Sequence, residues 1–242
     1  LQGGFPDAAL RPEPDLRQAW LDSYLEQLLT RDAESLVGLR DPTRLRRYFE
    51  VLALNSAGLP NARSLFDSAG LDRKTAIAYD QLLTNLLVLE TLPAWTSNRL
   101  RRLVKTANRY LVDPALIGSA LGLDETAVLR DGELLGRLID TFVASQIRPE
   151  LSLGRRRPRL YHLREKDGRR EIDLVAELAA GDVVAIEVKA TAAPGPDDAR
   201  HLAWLRDTLD DRFLAGAVLH TGPRKYRLGE RIHALPICTL WA

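Results

Sequence analysis

Val183-Val184-Ala185-Ile186-Glu187-Val188-Lys189-Ala190 sets two charges inside an apolar run rich in β-branched residues. Gly181-Asp182 before it and Thr191-Ala192-Ala193-Pro194-Gly195-Pro196 after it are turn and loop formers. The run is therefore bounded like a strand buried on at least one face. Alternation puts Val184, Ile186 and Val188 on one face and Val183, Ala185, Glu187 and Lys189 on the other. Unpaired charge is costly to bury, so Glu187 and Lys189 need a compensating partner: each other, a metal ion or solvent.

A third charge arrives from upstream. Glu171-Ile172-Asp173-Leu174-Val175-Ala176-Glu177-Leu178 reads as a second strand, with Ile172 and Leu174 on one face and Glu171, Asp173 and Val175 on the other. Only Ala179 to Asp182 separate the two runs, short enough for a hairpin. Antiparallel pairing then sets Asp173 near Glu187. Two carboxylates held close raise one another's pKa unless a cation lies between them. Hard oxygen ligands suit Mg²⁺ or Mn²⁺, and an adjacent lysine stabilises phosphate charge or orients a water.

Asp173, a gap, then Glu187-x-Lys189 resembles the PD-(D/E)xK nuclease signature. The order of expected elements strengthens the likeness. A helix from about Asp131 to Gln146 precedes a strand at Arg159–Arg164, and a Lys166-Asp167-Gly168 turn leads to the Asp173 strand. After the Glu187 strand come a helix from about Asp197 to Leu209 and a strand at Phe213–His220. This α-β-β-β-α-β order resembles the restriction-endonuclease-like core. The resemblance implies a catalytic set of Asp173, Glu187 and Lys189, and a Mg²⁺ or Mn²⁺ held by Asp173 and Glu187 with help from Asp140. Asp140 stands where the superfamily's first helix often carries a glutamate.

The first half reads as helical. Leu16, Trp20, Tyr24 and Leu28 repeat at helical spacing over about Asp15 to Thr30, and the aromatics there are expected to pack. Helices follow at Pro42–Ser56, at Asn61–Ala69 with Asn61 as N-cap, and at Arg73 to about Leu87 with Asp72 as N-cap. Strand-like pieces lie at Val88–Leu92 and Asn108–Val112. Three helices and a hairpin resemble a winged helix, whose third helix would present Arg73 and Lys74 to nucleic acid. Arg99, Arg101, Arg102, Lys105 and Arg109 cluster between and on the expected wing strands, where phosphates would pass. A charge run is ordinarily a solvated face, and Asp72 and Asp80 flank the reading helix.

Several pieces in shared order extend the resemblance over nearly the whole chain. They include Gly3-Gly4-Phe5-Pro6, Leu92-Pro93-Ala94-Trp95, Val112-Asp113-Pro114-Ala115-Leu116 and the terminal Leu235-Pro236-Ile237-Cys238-Thr239-Leu240-Trp241. Together they resemble the region that follows the ATPase module in bacterial AAA-type ATPases with a C-terminal domain of unknown function. That likeness implies a truncated molecule, partnered by its own N-terminal ATPase module. The chain starts at Leu1 and contains no G-x-x-x-x-G-K-[ST], so the phosphate-cradling loop is expected upstream and ATP is not expected to bind this chain alone.

Composition sets outer bounds. A length of 242 residues at 45% hydrophobic supports one substantial core or two modest ones, and a net charge of +1 creates no global pull toward nucleic acid. The single Cys238 excludes an internal disulfide, and no apolar stretch reaches the ~20 residues of a membrane span. A cytoplasmic location without membrane contact is expected. The reading is thus an α+β or α/β protein with a helical, winged-helix-like domain at 1–125 and a restriction-endonuclease-like domain at 126–242. Its expected role is nucleic-acid binding, with DNA a candidate partner, together with a metal-dependent nuclease site. The competing role is a catalytically inactive nuclease fold that serves as an interaction or regulatory module. His162, His201, His220, His233 and the Arg155-Arg156-Arg157 turn are weaker candidates.

Overall fold

Apolar residues at helical spacing fill the first half of the chain, and β-branched runs fill the second. The folded chain is accordingly a mixed α+β protein with a mixed sheet. The computed structural model describes residues 2–34, 41–58, 62–97, 106–165 and 169–241. Two units form: Leu1–Thr91 with Arg109–Thr141, and Leu92–Asn108 with Phe142–Ala242.

The first unit opens with α1 (Pro6–Ala9) and α2 (Pro14–Gln27), which runs on as a π-helical stretch, Leu28–Asp32. Then come α3 (Pro42–Leu54), α4 (Ala62–Ala69) and α5 (Arg73–Asn85), followed by strands β1 (Leu89–Leu92) and β2 (Asn108–Leu111), which pair. Asp41 and Asp72 cap α3 and α5 by accepting from the Arg44 and Thr75 N–H groups. The Asn61 cap lies outside the described residues. Two further helices not expected from the sequence, α6 (Pro114–Leu121) and α7 (Glu125–Arg130), precede α8 (Gly132–Leu153). Helix α8 runs past Gln146 and through Pro149 to Leu153, longer than the periodicity suggested.

Asp80 and Arg109 have structural work here. The Arg109 guanidinium meets the Asp80 carboxylate at 2.6 Å, and Tyr48 Oη donates to Asp80 at 2.7 Å. Burial beside that carboxylate pushes the Tyr48 hydroxyl pKa well up. Asp72 is an N-cap whose pKa is lowered by the Thr75 hydroxyl and N–H. These two acids therefore serve the fold, and Arg109 is engaged in it too.

The Gly3-Gly4-Phe5-Pro6 and Asp113-Pro114-Ala115 pieces turn out to be one clamp. Buried Asp113 caps α6 through Ala115 N at 2.8 Å and accepts from Gly4 N at 2.6 Å. Gly3 has φ 71°, and a Cβ on it would lie 2.6 Å from Ala115 Cβ, so the close approach requires glycine. Phe5 then packs on the Trp20–Tyr24 stack, with ring centroids 5.9 and 5.0 Å away.

The second unit is a six-stranded sheet in the order β3-β4-β5-β6-β8-β7. Its strands are β3 (Arg159–Arg164), β4 (Glu171–Glu177), β5 (Val183–Lys189), β6 (Phe213–His220), β7 (Tyr226–Gly229) and β8 (Ile232–Pro236), with helix α9 (Arg200–Leu209) between β5 and β6. Strands β3, β4 and β5 run antiparallel in turn; β5–β6 and β6–β8 are parallel, and β7 returns antiparallel to β8. Neither β7 nor β8 was expected. At the β4–β5 turn, Gly181 adopts φ 89°, and its carbonyl accepts twice from Arg212.

One sheet edge is covered. Pro93 O accepts from His162 N, and His162 O accepts from Trp95 N, so the Leu92-Pro93-Ala94-Trp95 piece lies along β3 like a short extra strand. Trp95 is anchored by its Nε1–H to buried Glu177 at 3.2 Å. The core packs Ala199, just before α9, and Leu202 and Leu205 of α9 onto Tyr161, Ile172, Val175, Val183, Ala185 and Val218.

The Asp113 clamp can be tested by urea unfolding. Asp113→Ala should lower the stability of the first unit by about 1–2 kcal/mol through loss of the cap. Gly3→Ala should also destabilise, by steric strain. An unchanged midpoint for Asp113→Ala would rule the clamp out.

Candidate functional site

Strand pairing, rather than local sequence, aims the acidic side chains. Between β3 and β4, Tyr161 pairs with Val175 and Leu163 with Ile172. One residue of β3, His162, therefore faces two of β4, Asp173 and Leu174, which is a β-bulge. The bulge corrects the simple alternation expected for this strand. Ile172 and Val175 both enter the core under α9, where strict alternation would put them on opposite faces. The β4–β5 ladder runs from Glu177↔Val183 to Leu174↔Ile186. Beyond it the Val188 N–H donates to the Asp173 side chain, Oδ2, at 2.8 Å. Asp173 is thereby held against β5 by its own carboxylate.

Glu187 continues the Val183/Ala185 face and is 3% exposed. Lys189 Nζ reaches its Oε2 at 3.2 Å, while the Lys189 side chain stays 36% exposed. Its other oxygen, Oε1, is buried without a hydrogen-bond partner among the described residues and lies 3.8 Å from His201 Nδ1. Burial pushes the Glu187 pKa well above the ordinary carboxyl value. The Asp173 carboxyl pushes it further, by its charge and by a hydrogen bond, while Lys189 pulls it down. The structure thus gathers Asp173, Glu187 and Lys189 at one place.

Two groups that the catalytic set omitted join them. Glu171, two residues before Asp173, is half-buried, and its pKa is raised by burial and by Asp173 against the pull of Arg164, Lys189 and His201. His201, on the first turn of α9, places Nδ1 2.7 Å from Glu171 O, and Arg200 Nε donates to its Nε2 at 3.1 Å. Glu171 was visible as a same-face neighbour of Asp173. The role of Arg200 depends on how α9 docks and carries no local signal.

No cluster of three or more His, Cys, Asp or Glu side chains able to hold a metal ion forms among the described residues. The residues present still fit a hard divalent cation, because Mg²⁺ keeps several waters and commonly takes only one or two carboxylates. An orphaned buried carboxylate oxygen beside a second carboxylate is a donor set of that kind.

Asp140 is on α8 in the first unit, whereas Asp173, Glu187 and Lys189 belong to the second. Arg73 and Lys74 are exposed at the start of α5. Arg99, Arg101, Arg102, Lys105 and the Lys166-Asp167-Gly168 turn lie outside the described residues. His162 sits on the covered edge strand, with Nε2 3.1 Å from Thr106 O. His220 is fully buried and accepts from Gly222 N, and His233 and Arg155-Arg156-Arg157 are exposed.

Two sequence families match the chain. The profile described as Domain of unknown function (DUF8612) covers residues 1–127, and that described as Domain of unknown function (DUF4143) covers 135–240. The chain is similar to the uncharacterized protein Mb2031c of Mycobacterium bovis and the uncharacterized protein Rv2008c of Mycobacterium tuberculosis. Each is 29% identical over 238 residues, covering 98% of this chain and 51% of the relative. The chain spans about half the length of the curated relatives it matches. No solved structure matches it.

The electrostatics of Glu187 set the sign of a pH effect. A raised folded-state pKa means the folded chain keeps a proton that the unfolded chain releases. Stability therefore falls as pH rises from the unperturbed value of about 4.3 through the raised one. In EDTA, Glu187→Gln should melt higher than wild type at pH 8, with the gain closing toward pH 4. A lower melting temperature for Glu187→Gln at pH 8 would refute the assignment of a strained carboxylate.

Proposed function

This chain belongs to the family described as a domain of unknown function, DUF8612, and we propose that its second unit binds nucleic acid and hydrolyses phosphodiesters with a divalent metal. The observation that carries this reading is the buried, partnerless Glu187 Oε1 next to the Asp173 carboxyl. A carboxylate buried in an apolar sheet face is costly unless something compensates its charge. The reading takes Asp173 and Glu187 as the ligands of a Mg²⁺ or Mn²⁺ ion, which would neutralise phosphate charge and activate a water. Lys189, partly exposed beside Glu187, would orient the water or meet charge developing on the phosphate. The order α8-β3-β4-β5-α9-β6 supports a restriction-endonuclease-like fold for this unit.

In the first unit, α3, α4 and α5 followed by paired β1 and β2 support a winged helix, with Arg73 and Lys74 offered to DNA phosphates. We take the chain as the C-terminal portion of a AAA-type ATPase acting in the cytoplasm. The resemblance of its motifs and its coverage of about half of longer relatives support that view.

A second reading has its own observation. The 3.2 Å Glu187–Lys189 pair lets the two charges satisfy each other, as in a catalytically inactive fold serving as an interaction or regulatory module for the ATPase. Mn²⁺ titration separates the two. Under the hydrolytic reading, Mn²⁺ at a hundredfold over its Kd stabilises wild type by about 2.7 kcal/mol and leaves Asp173→Asn/Glu187→Gln unmoved. Wild type then cuts labelled single- or double-stranded DNA, and the variant does not. Identical melting curves with intact DNA would leave the interaction module standing.

A further inference from the structure

We infer, on the footing of the phosphodiesterase reading, that Arg200 grips a nucleic-acid phosphate at this site and that His201 is the residue positioning it. Glu171 meets His201 Nδ1 twice, through its carbonyl oxygen at 2.7 Å and its N–H at 3.3 Å, and the shorter contact sets the tautomer. A carbonyl can only accept, so the 2.7 Å contact with Glu171 O requires the proton on Nδ1. Arginine can only donate, so the 3.1 Å contact from Arg200 Nε requires a lone pair on Nε2. Both demands are met by the same neutral imidazole. The result is a continuous line: the backbone of β4 at Glu171, the imidazole of His201, the guanidinium of Arg200.

That line ends beside the acids. The Nδ1 that bonds Glu171 O also lies 3.8 Å from Glu187 Oε1, the buried oxygen left without a partner. Arg200 is thus separated from the carboxylate pair by the width of one imidazole ring. Its Nε is spent on His201, which fixes the plane of the guanidinium, and the residue is exposed. Among the described residues no carboxylate is seen to pair with it. An oriented planar fork with free terminal N–H groups suits a phosphate, which accepts two parallel hydrogen bonds. Two carboxylates alone would repel a phosphodiester. Lys189 on β5 and Arg200 on α9 supply cations on two different elements around them.

The test measures binding of a labelled DNA duplex by fluorescence anisotropy in Ca²⁺ across a salt series, with Mn²⁺-dependent cleavage followed in parallel. Arg200→Ala should weaken binding about tenfold, the effect of losing one charge-assisted hydrogen bond. It should also reduce the slope of log affinity against log salt by about 0.9, one phosphate contact. Arg200→Lys should restore the slope without the full affinity, because it returns the charge but not the fork. His201→Ala should weaken binding in the wild-type background and add nothing on top of Arg200→Ala, while His201→Gln, still able to accept from Arg200, should keep most of the affinity. Wild-type affinity and slope in Arg200→Ala, with DNA still cut by the wild-type protein, would overturn this inference alone. Additive losses in the double variant would overturn the role of His201. A wild type that neither binds nor cuts DNA would overturn this inference together with the phosphodiesterase reading.

Discussion

The burial of Glu187 is the constraint to which the second unit is fitted. Its carboxyl continues a face that is otherwise Val183 and Ala185, under the apolar side of α9. A charge there is destabilised both by lost hydration and by the neighbouring Asp173. Lys189 compensates through one oxygen only. A sequence selected for stability alone would place an aliphatic residue at 187, since well-packed apolar groups often outperform a buried ion pair. A glutamate at this position suits the proposed metal ion, which would relieve that strain.

The fold supplies the geometry through three devices that meet at the same place. The bulge at Asp173–Leu174 breaks the alternation of β4 just before the acidic residue. The Val188 N–H holds the Asp173 carboxylate against β5. His201 fastens the first turn of α9 to Glu171. Each is a backbone contact, so the acids are carried by sheet and helix rather than by loops, which favours a fixed arrangement. Strand β3, at one margin, is covered by the Pro93–Trp95 segment, and the parallel pairing of β5, β6 and β8 lies in the interior of the sheet.

Much of this was legible from residue patterns, and the parts that were not share a cause. Strands β4, β5 and β6 are bounded by glycine, proline and acidic turns, and their β-branched runs leave little choice of element. Capping aspartates at 41 and 72 mark helix starts by local hydrogen bonds, and Asp72 was read on that basis. Asp113-Pro114 with Gly122 beyond carries the same start-and-stop signal for α6. The bulge, by contrast, exists because β4 pairs with β3, and nothing in Glu171–Glu177 alone announces it. Strands β7 and β8 are short and partly exposed, and are strands because β6 offers a free edge. His201 is a candidate from its place on the helix after the Glu187 strand, whereas Arg200 gains meaning only when α9 docks, and helix α8 passes Pro149, which would ordinarily mark an end.

A crystal of this chain grown with MnCl₂ and measured for anomalous scattering addresses the central point most directly. The account predicts a Mn²⁺ peak bonded to oxygens of both Asp173 and Glu187, with Glu187 Oε1 no longer partnerless. A well-ordered site with no such peak, and Glu187 still bonded only to Lys189, would contradict it.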